Sequence, residues 1–431
     1  MSKDVRATAA RVVAAVLGGL SLNRVLPEKL KEVSERDRAL LQQLSYGTLR
    51  QGPRLQALLK QLLDKPLRDK DRDVHSLLLC GLYQLDNTRV PDHAAVAATV
   101  NATRALKKPW AKSMANAVLR RYLREREQLT HALDPAAAAS HPAWLFQKIL
   151  EQWPDDAAAI IDANNEQPPM TLRVNLSQVS RDDYLEELKD QGIMASAGNL
   201  SEHAIRLSLP IDVWELPGFS SGKVSVQDEA AQIAALLLRA KAGERVLDTC
   251  AAPGGKACHI MELQPQLGEL VVMDIDKARL QKVSENLTRL NLTATQITGD
   301  AAHPSAPLEP GSFDRVLVDA PCSASGVIRR HPDVKLLRHQ SDIASLADQQ
   351  LDILQGAWPL LKRGGALLYV TCSILDEENS QVIQRFLTMQ GNAVLSSVEM
   401  AGSAAVSHGR QLLPSTTGTD GLFYALLTKA K

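Results

Sequence analysis

The sequence contains little cysteine, no long apolar run and no net charge. Its 431 residues include five cysteines, an odd number without framework spacing, so we expect free thiols rather than structural disulfides. No stretch approaches the roughly 18 consecutive apolar residues that a membrane span requires. The start, MSKDVRATAARVVAAVLGG, is a charged amphipathic pattern rather than a signal peptide. These absences predict a soluble cytoplasmic protein with no membrane partner.

The formal charge is zero, but it is unevenly distributed. Residues 1–134 hold 24 Lys and Arg against 14 Asp and Glu, and the remainder holds 25 against 35. A basic front end favours contact with a polyanion. A helical surface that is simply rich in Lys and Arg gives the same count. Charge alone leaves both interpretations open.

Apolar periodicity divides the chain into three regions. Residues 1–140 show helical spacing, as in RALLQQLSYGTLR, and predict an all-helical domain that ends at the alanine-rich HALDPAAAASHP. The strand patterns MTLRVN and AIRLSL flank the helical RDDYLEELKDQG and predict a small α+β module over 143–222. Over 223–431, apolar strands alternate with helical segments, as in a doubly wound parallel sheet. The predicted fold class is therefore multidomain, with an all-α domain, an α+β module and an α/β Rossmann-like domain.

Residues that directly follow the strands of the α/β domain are the candidates for a ligand site, because ligands bind outside the carboxyl ends of such strands. Asp248 and CAAPGGKA follow the first strand, where Gly254 and Gly255 permit a tight turn before a helix. Asp274 follows the second strand, at a position suited to ribose hydroxyls, and Asp300 follows the third. A single aspartate after a strand is as often a helix cap as a ligand contact. Three aspartates at successive strand ends favour an adenosine-type ligand.

Other nucleotide and metal sites fit this region poorly. A Walker loop requires glycine at Cys250 and Ser or Thr at Ala257, and no G-x-G-x-x-G fingerprint is present. Zinc binding by Cys250, Cys258 and His259 is disfavoured, since C-x-x-C spacing is absent. We interpret Cys80, Cys250 and Cys258 as small buried hydrophobes and expect no metal.

The fourth and fifth strands each end beside a cysteine, in VLVDAPCSASG and LLYVTCSILDEEN. If these strands are neighbours, their ends lie ~5 Å apart. Cys322 and Cys372 then meet in one cleft together with a carboxylate. Both cysteines follow a strand and precede a serine, so the sequence pattern does not rank the two thiols.

Four motifs, LDTCAAPGGKA, VVMDID, LVDAPCSASGVIRRHPD and YVTCSILDEEN, resemble those of the S-adenosylmethionine-dependent RNA cytosine-C5 methyltransferases, the NOL1/NOP2/Sun family. The helical front end is similar to the NusB-type RNA-binding domain, and the resemblance covers nearly the whole chain. It implies methyl transfer from S-adenosylmethionine to carbon 5 of a cytosine in small-subunit (16S) ribosomal RNA, through a covalent cysteine adduct at carbon 6.

The resemblance also implies the roles of the site residues. The nucleophile is Cys372 of the TC motif, the product-releasing thiol is Cys322 of the PC motif, and Asp319 lies beside them. Ala257 stands where the family often has threonine. The implied methyl-donor contacts are Cys250, Ala251, Ala252, Pro253, Gly254, Gly255, Lys256, Asp274, Asp300 and Asp319.

The proposed chemistry requires these residue types. Carbon 5 of cytosine is too weak a nucleophile to accept a methyl group, but thiolate addition at carbon 6 turns the ring into an enamine that attacks a sulfonium methyl. Asp319 at the N3 and N4 edge favours protonated N3, and a base must then remove the C5 proton. A free thiol titrates near ~8.5, so the sulfonium and Lys256 are candidates to favour the thiolate. The target base must be single-stranded or flipped out.

The basic run GVIRRHPDVKLLRH follows the first active-site cysteine. It predicts a loop on the rim of the cleft, where Arg329, Arg330 and Lys335 hold the RNA backbone. A solvated charged surface is the alternative interpretation of this run.

Two other functions remain open. One is the same chemistry on transfer RNA. The other is a non-catalytic RNA-binding or antitermination factor with a methyltransferase-like fold, against which the intact cysteine pair and the unbroken CAAPGGK argue. We expect the protein to act on RNA as a monomer.

Overall fold

The computed structural model describes residues 3–416 and 418–430. The helices are α1 (Val5–Leu17), α2 (Leu22–Leu30), α3 (Glu35–Arg50), α4 (Gly52–Leu62), α5 (Arg72–Asn87), α6 (Asp92–Ala105), α7 (Ala111–His131), α8 (Pro135–Ala138), α9 (Ala143–Gln152), α10 (Ala157–Asn165), α11 (Arg181–Asp190), α12 (Glu229–Leu238), α13 (Gly255–Leu263), α14 (Lys277–Arg289), α15 (Val334–Leu337), α16 (Gln340–Ala357) and α17 (Ser380–Met389). The strands are β1 (Thr171–Val174), β2 (Ala195–Ala197), β3 (Ala204–Leu207), β4 (Val224–Val226), β5 (Arg245–Asp248), β6 (Glu269–Asp274), β7 (Thr295–Thr298), β8 (Phe313–Asp319), β9 (Leu361–Thr371), β10 (Ala393–Ser396), β11 (Ala404–Val406), β12 (Gly409–Gln411) and β13 (Phe423–Lys429).

The chain forms two compact units, and the first is helical. It contains the chain up to Glu166 together with Ile328–Gln340. Helix α5 is apolar around most of its circumference and packs against α1, α3, α6 and α7, as expected of a central helix. Cys80 on this helix is fully buried, which confirms its interpretation as a small core residue. None of the described helices is both long and apolar enough to cross a membrane.

The basic segment Ile328–Gln340 belongs to this helical unit, and the prediction that Arg329 and Lys335 hold the RNA backbone is wrong. The side chains of Arg329 and Lys335 are buried, and Arg330 is half-buried. A cation that holds a phosphate backbone needs access to solvent. The segment is therefore a packing element of the helical unit.

Specific acceptors and donors hold this segment in place. The Lys335 ammonium donates to the Arg50 carbonyl at 3.1 Å and to Asn165 Oδ1 at 2.5 Å. Asp333 Oδ2 accepts from the Leu22 backbone N–H at 2.9 Å. Because a buried charge is costly without hydrogen-bond partners, these acceptors explain how a lysine is tolerated inside the unit.

The second unit contains Gln167–Val327 and the chain from Ser341 onward, and it holds two sheets. The smaller sheet has the strand order β2-β3-β1-β4, with antiparallel pairs throughout. The predicted strands MTLRVN and AIRLSL are β1 and β3, and the predicted helix between them is α11. The small α+β module is therefore present, while its predicted limits at 143 and 222 remain predictions.

The larger sheet has the order β11-β12-β13-β9-β8-β5-β6-β7, with β10 paired to β13. The strands from β7 to β9 in this order pair in parallel, and β13 pairs antiparallel to β9. Two apolar cores cover its two faces, as in a doubly wound fold. Strands β8 and β9 are neighbours, so the condition for bringing Cys322 and Cys372 together is met.

Candidate active site

A cavity of about 260 Å³ opens where β5, β6, β8 and β9 end. This is the edge at which open α/β sheets bind ligands. It is lined by Thr249, Cys250, Ala252, Asp274, Ile275, Arg279, Gly299, Asp300, Ala301, Asp319, Ala320, Pro321, Cys322, Gln349, Ile353 and Cys372. The predicted site residues that shape it without lining it are Ala251, Pro253, Gly254, Gly255 and Lys256.

The CAAPGGK loop makes a tight turn between β5 and α13. Gly254 has a φ of +100°, and a Cβ at this position would lie 3.1 Å from the Val283 side chain. Glycine tolerates this backbone conformation and other residues rarely do. Gly255 has no positive φ and is the first residue of α13, so the conformational requirement for glycine is at residue 254.

Asp274 fixes the end of β6 against this loop. Its buried carboxylate accepts from the backbone N–H of Ala252 at 3.2 Å and of Asp276 at 3.0 Å. Arg279, five residues further on, reaches both groups: it donates to the Ala252 carbonyl at 3.0 Å and its Nη1 lies 3.6 Å from Asp274 Oδ1. Sequence reasoning missed Arg279, although its place in the first turn of the following helix is a local signal.

Asp300 lies on the more open side of the cavity, with 47% of its side chain exposed. The backbone N–H of Ala302 and the His303 ring lower the pKa of its carboxyl group. Asp300 is therefore an ionised acceptor near neutral pH.

Lys256 and Asp319 form an ion pair across the site, with 2.6 Å between Nζ and Oδ2. Burial alone would lower the pKa of Lys256, but the Asp319 carboxylate raises it above its ordinary value. Burial, and then the nearby Asp319 charge, raise the pKa of Asp248 to about 8. Lys256 is thus a stable cation, and Asp248 is a carboxyl group that holds a proton near neutral pH.

The thiols of Cys322 and Cys372 lie 3.3 Å apart, as the adjacency of their strands predicted. The hydrogen bond to Cys372, and then burial, raise the pKa of Cys322 well above its usual range. Cys372 is also close to Lys256, and its charge contributes to the raised pKa of the Lys256 ammonium.

The other thiols of this unit are less reactive by position. Burial raises the pKa of Cys250 to about 12 and that of Cys258 to about 11. Cys250 also lines the cavity, and the resemblance includes it among the methyl-donor contacts. Among residues 3–416 and 418–430, no group of three or more His, Cys, Asp or Glu is arranged to hold a metal ion.

The lining residues that sequence reasoning missed also include Ile275, Gln349 and Ile353. Ile275 directly follows Asp274 and is 67% exposed. An apolar residue directly after the strand-end aspartate could have been predicted from the sequence to line the ligand site. Gln349 and Ile353 come from α16. Their place at the cavity depends on how that helix packs on the sheet, for which the sequence carries no local mark.

Comparison with known proteins agrees with this architecture. Residues 235–428 match the family model for the 16S rRNA methyltransferase RsmB/F, residues 141–214 match the RsmF/B-like ferredoxin-like domain, and residues 3–124 match the NusB family. The fold class predicted from the sequence is thereby confirmed.

Whole-length relatives and a solved structure agree as well. Ribosomal RNA small subunit methyltransferase B of Pseudomonas syringae pv. tomato is 50% identical, over 98% of this chain and 96% of that protein. The protein of the same name from Pseudomonas putida is 49% identical, over 98% of each chain. The crystal structure of PH0851 shares the fold, with a TM-score of 0.84 at 22% identity over the full length of both chains. This chain therefore belongs to the ribosomal RNA small subunit methyltransferase B family.

Proposed function

We propose that this protein transfers a methyl group from S-adenosylmethionine to carbon 5 of a cytosine in 16S ribosomal RNA. Its whole-length relatives are named as methyltransferases of small-subunit ribosomal RNA. The observation that carries the cytosine-C5 chemistry is the pair of thiols, 3.3 Å apart, at the edge of a cavity lined by carboxylates. A cytoplasmic location and a monomeric state remain predictions.

The cavity suits the methyl donor, which supplies an electrophilic sulfonium methyl when bound. Asp274 and Asp300 offer carboxylate oxygens at successive strand ends, where ribose hydroxyls and an amine find acceptors. Gly254 leaves no side chain at the turn. The lining includes the apolar Ile275 and Ile353 beside these acceptors, the mixture expected of a nucleoside pocket.

The two thiols take different parts in the proposed reaction. The Cys372 thiolate adds to carbon 6, and the displaced electron pair makes carbon 5 nucleophilic toward the methyl group. A base then takes the C5 proton, and the electron pair of the broken C–H bond restores the double bond and expels the Cys372 sulfur from carbon 6 as a thiolate. The high pKa of Cys322 suits a thiol that stays protonated during attack and assists this release.

Asp319 and Lys256 surround the reacting base in this proposal. Asp319 accepts from the protonated N3 and the N4 amine, which stabilises the adduct. Its ion pair with Lys256 at 2.6 Å limits the rotation of the carboxylate. Lys256 also places a positive charge near the Cys372 thiolate, which favours the nucleophilic form.

The test uses 16S ribosomal RNA labelled with tritium at carbon 5 of cytosine, offered as free RNA and as small ribosomal subunits from a strain that lacks this gene. Each methyl transfer should release one tritium to water, and bisulfite sequencing should then find one new protected cytosine. Transfer RNA labelled in the same way is the control substrate. Methylation without tritium release would exclude carbon 5, and preferred methylation of transfer RNA would overturn the substrate.

A further inference from the structure

One buried carboxylate connects the loops that carry the two thiols. Glu378 is fully buried and belongs to a short 3-10 helix, Asp376–Glu378. Its Oε1 accepts from the Ser323 backbone N–H at 2.7 Å, and its Oε2 accepts from the Ser323 hydroxyl at 2.5 Å and the Ser373 hydroxyl at 2.6 Å. Ser323 follows Cys322 directly and Ser373 follows Cys372 directly. One side chain thus binds the neighbours of both thiols.

Four hydrogen-bond donors surround the carboxylate of Glu378. No cation in the described part of the chain pairs with Glu378, and its oxygens meet a fourth donor, Gln350 Nε2, at 3.1 Å. All four groups can donate, and an ionised carboxylate is an acceptor only. Because a buried charge without such donors is costly, the carboxylate and the two serines hold one another in a single arrangement.

Glu378 is itself fixed from behind. The Tyr369 hydroxyl on β9 donates to the Glu378 carbonyl at 2.7 Å and is fully buried. Gln350, on α16, reaches the carboxylate from another side. The anchor for the two loops is therefore attached to the sheet and to a long helix.

Further links cross directly between the two loops. The Gly326 N–H donates to the carbonyl of Cys372 at 2.9 Å. The Ser325 hydroxyl lies 3.0 Å from that of Ser373 and accepts from the Ile374 N–H at 3.0 Å. The Ser325 hydroxyl also lies 3.1 Å from that of Ser323, so both Ser325 and Glu378 bond to the residue after each cysteine, and Glu378 does so through a single carboxylate.

We propose that Glu378 is a positioning residue that sets the spacing of the two active-site thiols. This inference deepens the proposed function, on which its catalytic consequence rests. In that reaction one thiol bonds to carbon 6 while the other acts on the same adduct, so both sulfur atoms must stay within reach of one ring. Displacing a reacting group by about 1 Å can cost roughly a hundredfold in rate.

The spacing can be measured without RNA by using phenylarsine oxide. This reagent bonds to two neighbouring thiols at once: both S–H bonds break, two As–S bonds form and the oxygen leaves as water. The full-length protein should bind it in a one-to-one ratio, and binding should be lost in Cys322→Ala and in Cys372→Ala. In Glu378→Gln one acceptor becomes a donor, so we expect arsenical affinity to fall roughly tenfold or more, while alkylation of Cys372 by iodoacetamide changes much less.

The methylation assay supplies the second measurement. Glu378→Gln should lower kcat about ten- to a hundredfold and leave the KM for S-adenosylmethionine nearly unchanged, since Glu378 does not line the cavity. Glu244→Gln is the matched control, because it makes the same change at a carboxylate that is partly buried and binds Arg315 at 3.0 Å beside the opposite ends of the strands. It should behave as wild type.

If Glu378→Gln does not fold, Ser323→Ala and Ser373→Ala each remove one link and should weaken arsenical binding in the same direction. Wild-type arsenical affinity and kcat in folded Glu378→Gln would overturn the proposal. Arsenical binding that depends on Glu378, in a protein that forms no 5-methylcytosine, would instead overturn the proposed function and leave the positioning role intact.

Discussion

The two cysteines have nearly identical sequence contexts but different surroundings in the folded chain. Cys322 is 9% exposed, and its pKa is raised by the hydrogen bond to Cys372 and by burial. Cys372 is half-buried, lines the cavity and lies near the Lys256 cation. The two thiols therefore differ in burial and in access to the cavity, and the role of Cys372 as the nucleophile remains a prediction.

Replacing each cysteine by alanine should therefore give different products. Cys372→Ala removes the nucleophile, so neither methylated RNA nor a protein–RNA adduct should form. Cys322→Ala keeps attack and methyl transfer but hinders release, so a crosslinked band should accumulate and survive denaturing electrophoresis. The measurement is the fraction of labelled RNA that migrates with the protein.

Cys80→Ala serves as the control, because this core thiol lies in the helical unit and should give no adduct. An adduct trapped by Cys372→Ala would exchange the two roles. Absence of adduct in both variants would argue against a part for Cys322 in release.

Asp274 provides a test of the methyl-donor pocket. Asp274→Ala removes a buried carboxylate that lines the cavity. Hydrogen bonds to a charged group contribute roughly 1.5 to 3 kcal/mol, so we expect S-adenosylmethionine affinity to fall by about that amount in calorimetry. Thermal unfolding of the same variant shows whether the loop survives the loss of its bond to Ala252.

Asp276→Ala is the matched control for that variant. Asp276 lies two residues away, is exposed, and caps α14 by accepting from the Ala278 N–H. Its loss should lower stability slightly without changing donor affinity. Equal donor affinity in wild type and Asp274→Ala would remove Asp274 from the pocket.

Among the secondary-structure elements, α2 begins with an unusual cap. Ser21 occupies the N-cap position without a side-chain hydrogen bond to the helix. Asp333, 311 residues away in sequence, accepts from the Leu22 N–H at 2.9 Å instead. Negative charge is favourable at this end of a helix, so the inserted segment stabilises α2 from outside.

Asp333→Ala should loosen α2 more than its neighbours. Loss of a helix cap costs about 1 kcal/mol, equivalent to roughly fivefold faster amide hydrogen exchange over Leu22–Leu30 if exchange follows local opening. Asp4→Ala is the comparison, because Asp4 caps α1 through the Ala7 N–H and its loss should affect α1 instead. Unchanged exchange in α2 would show that the Asp333 bond contributes nothing to that helix.

The elements also show which predictions the sequence supports. The strands β5, β6, β8 and β9 and the residues at their ends were predicted correctly, because apolar runs followed by Gly or Asp depend on neighbours a few positions away. The fate of Lys335 depends on Arg50 and Asn165, 285 and 170 positions away. The basic run itself does not show whether Lys335 is exposed or buried. The prediction that Lys335 contacts phosphate was wrong because its burial depends on these distant partners.

The same limit explains why Glu378 was not recognised as important. It stands in the motif YVTCSILDEEN, within a run of four consecutive acidic or amide residues that the sequence alone does not distinguish. Its partner Ser323 lies 55 positions earlier in the chain. Only the parallel pairing of β8 with β9 brings these residues together, and a single sequence does not give that contact.

For the molecule as a whole, the separation of charge is the feature most open to test. The excess of Lys and Arg lies in residues 1–134 and the excess of Asp and Glu in the remainder. Burial of Arg329 and Lys335 removes two of the predicted phosphate contacts. Exposed cations of the helical unit remain, and Lys112, Arg120 and Arg124 lie on α7 at spacings that place them on one side of the helix.

Replacing Lys112, Arg120 and Arg124 together by alanine should weaken binding to 16S ribosomal RNA and reduce its salt dependence. Each lost phosphate contact lowers the slope of log K against log salt by about 0.7 to 0.9, so three contacts correspond to a decrease of roughly 2 to 2.7. The control replaces the exposed Lys189, Lys241 and Lys282 of the second unit, which removes the same total charge. If attraction depends only on net charge, both triple variants will show the same slope, and the basic helical surface will have no special part in RNA binding. A larger decrease for the α7 variant alone, with methyl-donor affinity unchanged in both, would assign RNA docking to the helical unit.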